Sequence, residues 1–407
     1  MPNNAVVKKT LKHYIFIDEC RKEGLTYKEI AEQIGEHFPN LVKQTENSVR
    51  NFYTRHSYES FNTDDLTLSS MVEKKNAQDA AKKLRKEKNV LLDNVILFDN
   101  MDKALKELVK DIKVKPVKLN KKKCGKGKPK MTIELLLSDI HYGKLVQVLD
   151  KKGNRKTICN LDIIRKRVTQ FVEVFKAELA REQKSFDVEE IIINFDGDII
   201  ESSTMHGKES MVSSEFDNSR QIVEAIKSMY HDILVPIAKL NIPTRVNCVT
   251  GNHDRVEPKK TFNNAGENNV SYQIYKVLEM MAENAKMDNL KFSIPISSYL
   301  IYDIYGSKVL LEHGDNLKAK TQNAVEALVA KRATQNQCHI AFSRWGHFHE
   351  YTVYGRGTHI INGGVPGQDS YAEVLGFDSQ ACQVINYYVK TNKRPTPFYK
   401  SFPVYLE

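Results

Sequence analysis

The sequence predicts an α/β protein: a layered domain of alternating strands and helices from residue 131 onward, preceded by a small all-α domain and a long helical connector. Three observations predict it. Short apolar, strand-like runs at 133–137, 191–195, 245–249, 308–311 and 339–342 alternate with longer amphipathic patterns at 161–181, 218–238, 268–282 and 321–333. Strands alternating with helices of that length mark a layered α/β domain. Before residue 60 only short helical signals occur, and between 113 and 130 nine lysines stand without one acidic residue.

The first element, residues 1–60, reads as three short helices over about 8–58. Thr26 and Glu29 form a capping box, in which hydroxyl and carboxylate each satisfy a free amide at a helix start. Ile30, Ala31 and Ile34 supply the apolar face. After Pro39 a later helix is predicted over 45–56, with Arg50, Asn51 and Arg55 among its polar positions. That order resembles a helix-turn-helix, whose later helix enters the DNA major groove. A three-helix bundle that binds protein is the alternative.

Residues 61–112 form the connector, where Ala77, Leu84, Leu91, Phe98, Leu105 and Ile112 recur every seven residues. This stride predicts a long helix, a helical hairpin or a coiled coil pairing two or more chains through 70–112. Glu87 and Asn94 interrupt the second seam, so packing within the chain is the alternative. Residues 113–130, with proline, glycine and a like-charge block, predict an extended, flexible linker. Its lysines, Lys121, Lys122 and Lys123 among them, suit displacement of counterions from DNA phosphates.

Composition narrows the classes further. The 407 residues suggest two or three domains at roughly 150 residues each. Hydrophobic residues make up 41% and charged residues 28%, and no apolar run reaches the roughly 18 residues of a membrane helix. The N-terminus lacks the basic-then-apolar order of an export signal, so a cytoplasmic location is expected. Six scattered cysteines, none in a Cys-x-x-Cys pair, predict reduced structural thiols. The net charge of +10 sits almost wholly in the linker, because 19 basic and 18 acidic residues precede it and residues 131–407 balance.

Each of the five strand-like runs is followed by residues that bind metals: Asp139-Ile-His141, Asp196-Gly-Asp198, Gly251-Asn-His-Asp254, His313-Gly-Asp315 and Gly346-His-Phe-His349. Ligands in α/β sheets gather beyond the carboxyl ends of strands, so the five clusters predict one convergent site. If the backbone stays extended, Asp139 and His141 share one side, as do His347 and His349. Asp196, His206, Asp315 and His359 are expected to be turn or core groups.

These blocks resemble, in order, the pattern of the calcineurin-like metallophosphoesterase superfamily: Asp-x-His, Gly-Asp-x-x-(Asp/Glu), Gly-Asn-His-(Asp/Glu), His and Gly-His-x-His. They span Asp139 to His349, about half the chain. The resemblance implies a four-layer α-β-β-α sandwich over 131–407 and two divalent cations. One would be held by Asp139, His141, Asp198 and His349, the other by Asp198, Asn252, His313 and His347, with Asp198 bridging. A donor set without thiolate fits Mn²⁺, the favoured ion, with Fe²⁺ or Zn²⁺ as alternatives. It further implies hydrolysis by hydroxide activated between the cations. His253 would protonate the leaving oxygen, Glu201 would orient His253, and Asp254 would stand behind them.

Within the superfamily the chain most resembles the DNA-processing branch typified by the SbcCD nuclease subunit, by its N-terminal module and basic tether. Only 58 residues follow His349, enough for closing strands but not for that branch's extra capping domain. The segment 360–371 is expected to form a loop near the metals. A DNA-directed nuclease is therefore expected, with a phosphomonoesterase acting on proteins or nucleotides and a non-catalytic DNA-binding regulator as alternatives.

Overall fold

Three threonines start the first three helices: Thr10 before α1 (Leu11–Lys22), Thr26 before α2 (Tyr27–His37) and Thr45 before α3 (Glu46–Arg55). In the computed structural model, the described residues are 10–39, 41, 44–56, 75–86, 88, 115–120, 127–149, 152–205, 207–256, 266–367, 380–391 and 396–407. The chain divides into two units, Met1–Asn100 and Met101–Glu407.

In the first unit the Thr26–Glu29 capping box forms: Glu29 N donates to Thr26 Oγ1 at 3.3 Å, and Thr26 N donates to the Glu29 carboxylate at 2.7 Å. Ile15, Phe16, Ile17, Ile30, Ile34 and Val49 make the core. Residues 75–86 are helical, and their Ala77, Ala81 and Leu84 pack on that core. Two positions of the seven-residue stride are thus used within the chain; Leu91, Phe98, Leu105 and Ile112 lie outside the described residues. Asn47, Arg50, Asn51, Thr54 and Arg55 form an exposed polar face on α3, with Arg50 2.6 Å from Glu46.

The second unit is mixed α/β. Its strands are β1 (Lys130–Leu137), β2 (Val146–Leu149), β3 (Arg155–Cys159), β4 (Asp187–Asp196), β5 (Thr244–Val249), β6 (Leu290–Ser293), β7 (Tyr299–Ile304), β8 (Ser307–Glu312), β9 (Ile340–Trp345), β10 (Thr352–Tyr354), β11 (His359–Ile361), β12 (Cys382–Val389) and β13 (Phe398–Tyr405). One sheet has the order β13-β12-β1-β4-β5-β6, a second β10-β11-β9-β8-β7, and β2-β3 form a hairpin. Strands β1, β4, β5 and β6 run parallel, as do β8, β9 and β11. All five sequence-predicted strands lie in these two parallel groups. Strands buried on both faces lose the polar alternation, which is why Ile191, Ile192 and Ile193 follow one another.

Helices begin on the same logic as in the first unit. Asn160 caps α4 (Leu161–Glu182), Asp217 caps α6 (Asn218–Ser228), Asn269 caps α7 (Val270–Asn284) and Thr321 caps α8 (Gln322–Gln335), each accepting a first-turn amide. A short α5 (Lys208–Ser213) precedes α6, which continues through a π-helical turn at Met229–Leu234 into Val235–Ala238. Ile192 and Val249 of the first sheet share a core cluster with Ile304, Val309, Leu311 and Phe342 of the second. On the second sheet's other face, Val325 and Val329 of α8 pack with Leu310, Ile340, Trp345 and Ile361.

Between the sheets lies a fully buried ion pair. Arg344 Nε on β9 donates to Glu134 Oε2 on β1 at 2.8 Å, and both side chains are 0% exposed. Asn386 and Tyr388 of β12 also donate to Glu134, each at 2.8 Å, and Asn194 of β4 donates at 3.1 Å. Such a pair is worth little against apolar residues but is costly to break on one side.

Two stretches of the linker are described, 115–120 and 127–130, and the first bonds to other residues of the second unit. Val117 N donates to Ala285 O and Asn120 N to Lys239 O. Those acceptors precede β5 and β6 and lie at the strand-entry end. Lys121, Lys122 and Lys123 follow, outside the described residues. Among the described residues no helix is long and apolar enough to cross a membrane.

Candidate metal centre

Five strand exits supply the site: β1 leads to Asp139 and His141, β4 to Asp198, β5 to Asn252 and His253, β8 to His313, and β9 to His347 and His349. The structure brings these side chains together. Asp139, His141, Asp198 and His349 offer ligand-type atoms that all lie within 4.8 Å of one another. Asp198, His313 and His347 form a second such group, so Asp198 belongs to both. Asn252 Oδ1 joins the second group, 3.2 Å from His313 Nε2.

The backbone there is not extended, which corrects the expectation drawn from alternation. Asp139, His141, Asp198, His347 and His349 have φ of 50°, 53°, 49°, 72° and 54°. Non-glycine residues in this left-handed region cost energy, and such strain gathers at functional sites. The chain turns sharply at these five ligands, and the side chains converge. Two glycines make room: a Cβ on Gly251 would stand 2.1 Å from Asp198 Oδ1, and one on Gly346 2.6 Å from Asp139 Oδ2.

Hydrogen bonds fix which atom of each ring faces inward. His313 places Nδ1 2.6 Å from the Asp196 carbonyl, so Nδ1 carries hydrogen and Nε2 points to Asp198 Oδ2 at 3.2 Å. His141 presents Nδ1 to Glu201 Oε2 at 2.8 Å, and its Nε2 lies 3.1 Å from His349 Nε2. His349 Nε2 is 3.3 Å from Asp139 Oδ1. Two imidazole nitrogens and two carboxylates crowded at such distances suit a shared cation.

Electrostatics point the same way. Burial pushes His141 and His347 down to about 4, into their neutral, metal-ready forms. Burial also opposes charge on His313 and His349, but Asp198 and Asp139 respectively outweigh it and raise both. Each carboxylate thus favours the protonated form of the ring beside it. Burial alone would raise Asp198 and Asp139, yet the neighbouring imidazoles hold both below the usual range.

The supporting residues differ from the sequence expectation in detail. His253 Nδ1 bonds the main-chain oxygen of Glu201 at 2.7 Å, while the carboxylate is 3.9 Å away and faces His141. Glu201 thus orients a proposed ligand and touches His253 mainly through its backbone. Lys144 at 3.5 Å and Ser213 at 2.9 Å also bond that carboxylate, and although burial opposes it, Lys144 and then His141 hold it below the usual range. Neither Lys144 nor Ser213 was singled out in the sequence, though Lys144 stands only three residues past His141. Asp254 is fully buried and accepts from the amides of Ile199, Ile200 and Gly251 at 2.9, 3.0 and 3.2 Å, tying the β4 and β5 loops. Burial, then the Asp198 charge, raises it to about 6.

Of the remaining residues, Asp315 pairs with Arg255 and so ties the loop after β8 to that after β5. His359 bonds Ser343 Oγ in the core, and Asp196 is buried with its carbonyl on His313. His206 lies outside the described residues, as do 368–371 of the expected site loop. Residues 362–367 do border the site: Val365 N donates to Asp139 O at 3.0 Å. Arg50, Asn51 and Arg55 belong to the first unit and are not part of this cluster.

No family model matches the chain, and no curated protein matches it. Among solved structures it is similar to zinc-complexed Vps29 from Entamoeba histolytica, at 11% identity, covering 67% of this chain and 98% of that one with a TM-score of 0.26. It is also similar to a conserved uncharacterized protein, a predicted phosphoesterase, from Streptococcus pneumoniae (10% identity, 67% and 98% covered, TM-score 0.25). A third is a 5'-nucleotidase precursor from Thermus thermophilus (10% identity, 68% and 54% covered, TM-score 0.27). At these scores the likeness assigns no activity, and the side chains alone carry the functional reading.

Proposed function

We propose that this chain is a dinuclear metal-dependent phosphoesterase that hydrolyses phosphodiester bonds in DNA, on a four-layer α-β-β-α domain of the calcineurin-like kind. The observation that carries it is the pair of ligand clusters sharing Asp198 at strand exits from both sheets. Asp139, His141, Asp198 and His349 hold one cation; Asp198, Asn252, His313 and His347 hold the other. Carboxylate, imidazole and amide donors without thiolate suit Mn²⁺, Fe²⁺ or Zn²⁺, and Mn²⁺ is favoured. When bound, such a pair supplies an activated water and neutralises charge on phosphoryl oxygens.

The chain's own residues do the rest. His253 keeps Nδ1 on the Glu201 carbonyl, so proton delivery to the leaving oxygen falls to Nε2. Glu201 fixes the ring of His141, and Asp254 fixes the two loops that bear Asp198 and Asn252. For DNA, the support is the exposed face of α3 with Arg50, Asn51 and Arg55, together with the lysine run containing Lys121, Lys122 and Lys123. The role of that run is to hold the phosphate backbone of DNA.

Incubation of the full chain and Mn²⁺ with plasmid and linear DNA tests the reading, and intact DNA at high protein concentration refutes it. The near-neutral charge of residues 131–407 favours a second reading, a phosphomonoesterase. Turnover of an aryl monoester well above that of a bis-aryl diester would select it. Replacing Arg50, Asn51 and Arg55 with alanine is expected to weaken duplex binding while aryl diester turnover stays unchanged.

A further inference from the structure

Strand β1 must leave its sheet abruptly to deliver Asp139. Its backbone pairing with β12 ends at Leu136 opposite Val384, and Asp139 already sits at φ 50°. Ser138, immediately before Asp139, is fully buried. A buried peptide N–H or C=O without a partner is costly, so something other than a strand must bond it.

The side chain of Gln383 on β12 bonds both groups. Its Oε1 accepts from Ser138 N at 3.0 Å, and its Nε2 donates to Ser138 O at 3.2 Å. One amide thus replaces the next rung of the sheet. The same Nε2 donates to Gly363 O at 2.6 Å, and Oε1 also accepts from Asn362 Nδ2 at 2.8 Å. Asn362 in turn donates to Ser138 Oγ at 3.0 Å. Gln383, Ser138 and Asn362 are each 0% exposed.

The loop held this way supports a second ligand. A Cβ on Gly364 would stand 3.1 Å from Cγ of His349, so the backbone there backs the imidazole ring. Val365 N meets the Asp139 carbonyl from the same loop. Gln383 therefore joins the turn that aims Asp139 to the loop that backs His349, both in one cluster. No comparable bond from Gln383 reaches Asn252, His313 or His347 among the described residues.

We propose that Gln383 is a positioning residue for the Asp139–His141–Asp198–His349 metal, acting through Ser138 and the 362–365 loop. This rests on the dinuclear reading above. Residues behind a ligand typically alter metal affinity by about 10- to 100-fold. Loss of Gln383 is expected to weaken one cation by that order and to spare the other.

The test is Mn²⁺ titration by calorimetry of the full chain, with the thermal midpoint recorded for every variant. In a His347→Ala background, where the Asp139 cluster remains, adding Gln383→Met is expected to weaken Mn²⁺ by roughly tenfold or more. In a His349→Ala background, where the Asp198–Asn252–His313–His347 cluster remains, it is expected to change nothing. A general loosening would weaken both, and that outcome, or no weakening in the His347→Ala background, overturns the proposal. If Gln383→Met does not yield folded protein, Gln383→Glu serves: it places oxygen against the carbonyls of Ser138 and Gly363 and is expected to give a loss of the same sign. A wild-type chain that takes up no Mn²⁺ sinks the dinuclear reading itself, whereas two bound Mn²⁺ with an indifferent Gln383 sink this inference alone.

Discussion

Replacing His253 with alanine separates proton delivery from metal holding. The backbone amide of residue 253 donates to Asp198 Oδ1 at 2.8 Å, and alanine keeps that bond. Only the ring goes, with its 2.7 Å bond to the Glu201 carbonyl and its edge-to-face contact with His141, centroids 4.7 Å apart. Both ligand clusters survive on this geometry, so metal content should hold. General acid catalysis contributes about 10²- to 10⁴-fold, or about 2.7–5.5 kcal/mol of barrier. That full loss is expected for a dinucleotide, whose departing alkoxide needs a proton. Nitrophenolate leaves without one, so bis-nitrophenyl phosphate turnover should fall by no more than about tenfold. Steady-state kinetics on both substrates, with elemental analysis of each protein, makes the measurement. Equal losses on the two substrates, or an unchanged dinucleotide rate, would refute the assignment.

Three further outcomes follow from the same geometry. Asp198→Asn removes the one carboxylate common to both clusters and should weaken both cations in a Mn²⁺ titration; a variant that retains one at wild-type affinity would contradict the bridging role. Metal uptake must expel the protons that Asp198 and Asp139 stabilise on His313 and His349. Apparent Mn²⁺ affinity should therefore climb as pH rises through and beyond 6.5, the ordinary histidine value, and level off once both rings are neutral in the metal-free chain; a flat profile there argues against proton displacement. Arg344→Ala leaves Glu134 charged and buried without its cation, and should cost about 3–5 kcal/mol in urea unfolding, whereas a loss under 1 kcal/mol would show that the pair is not the link between sheets.

Much of the α/β domain was legible because its parallel strands are short, apolar and terminated by polar clusters. Four of the five predicted runs lie inside strands, the fifth starts one residue before β9, and all four predicted helices begin near an observed cap. The strands that escaped notice, β2, β3, β6, β7 and β10 to β13, are antiparallel, marginal or at sheet edges, and carry mixed patterns. β13 reads Phe-Tyr-Lys-Ser-Phe-Pro-Val-Tyr, where proline and lysine argue against a strand until its edge position is known. The five left-handed ligand residues on the β1, β4 and β9 exits were hidden differently. Left-handed φ at an aspartate or histidine has no local signature, so alternation suggested an extended path that the backbone does not take.

The supporting shell was least visible, for a reason that concerns distance along the chain. Gln383 bonds Ser138 across 245 positions, and Arg344 meets Glu134 across 210. Each is an ordinary polar residue inside an apolar strand, where a local reading sees only a flaw in the pattern. Such a residue acquires meaning once the sheet order puts β12 and β9 beside or across from β1, because burial then demands a partner for every polar atom. The ligands could be found one strand end at a time, since each cluster is itself unusual. What holds Asp139 at a strained angle cannot be found that way, and a chain carrying all seven proposed ligands on a β12 without Gln383 should bind its first cation poorly.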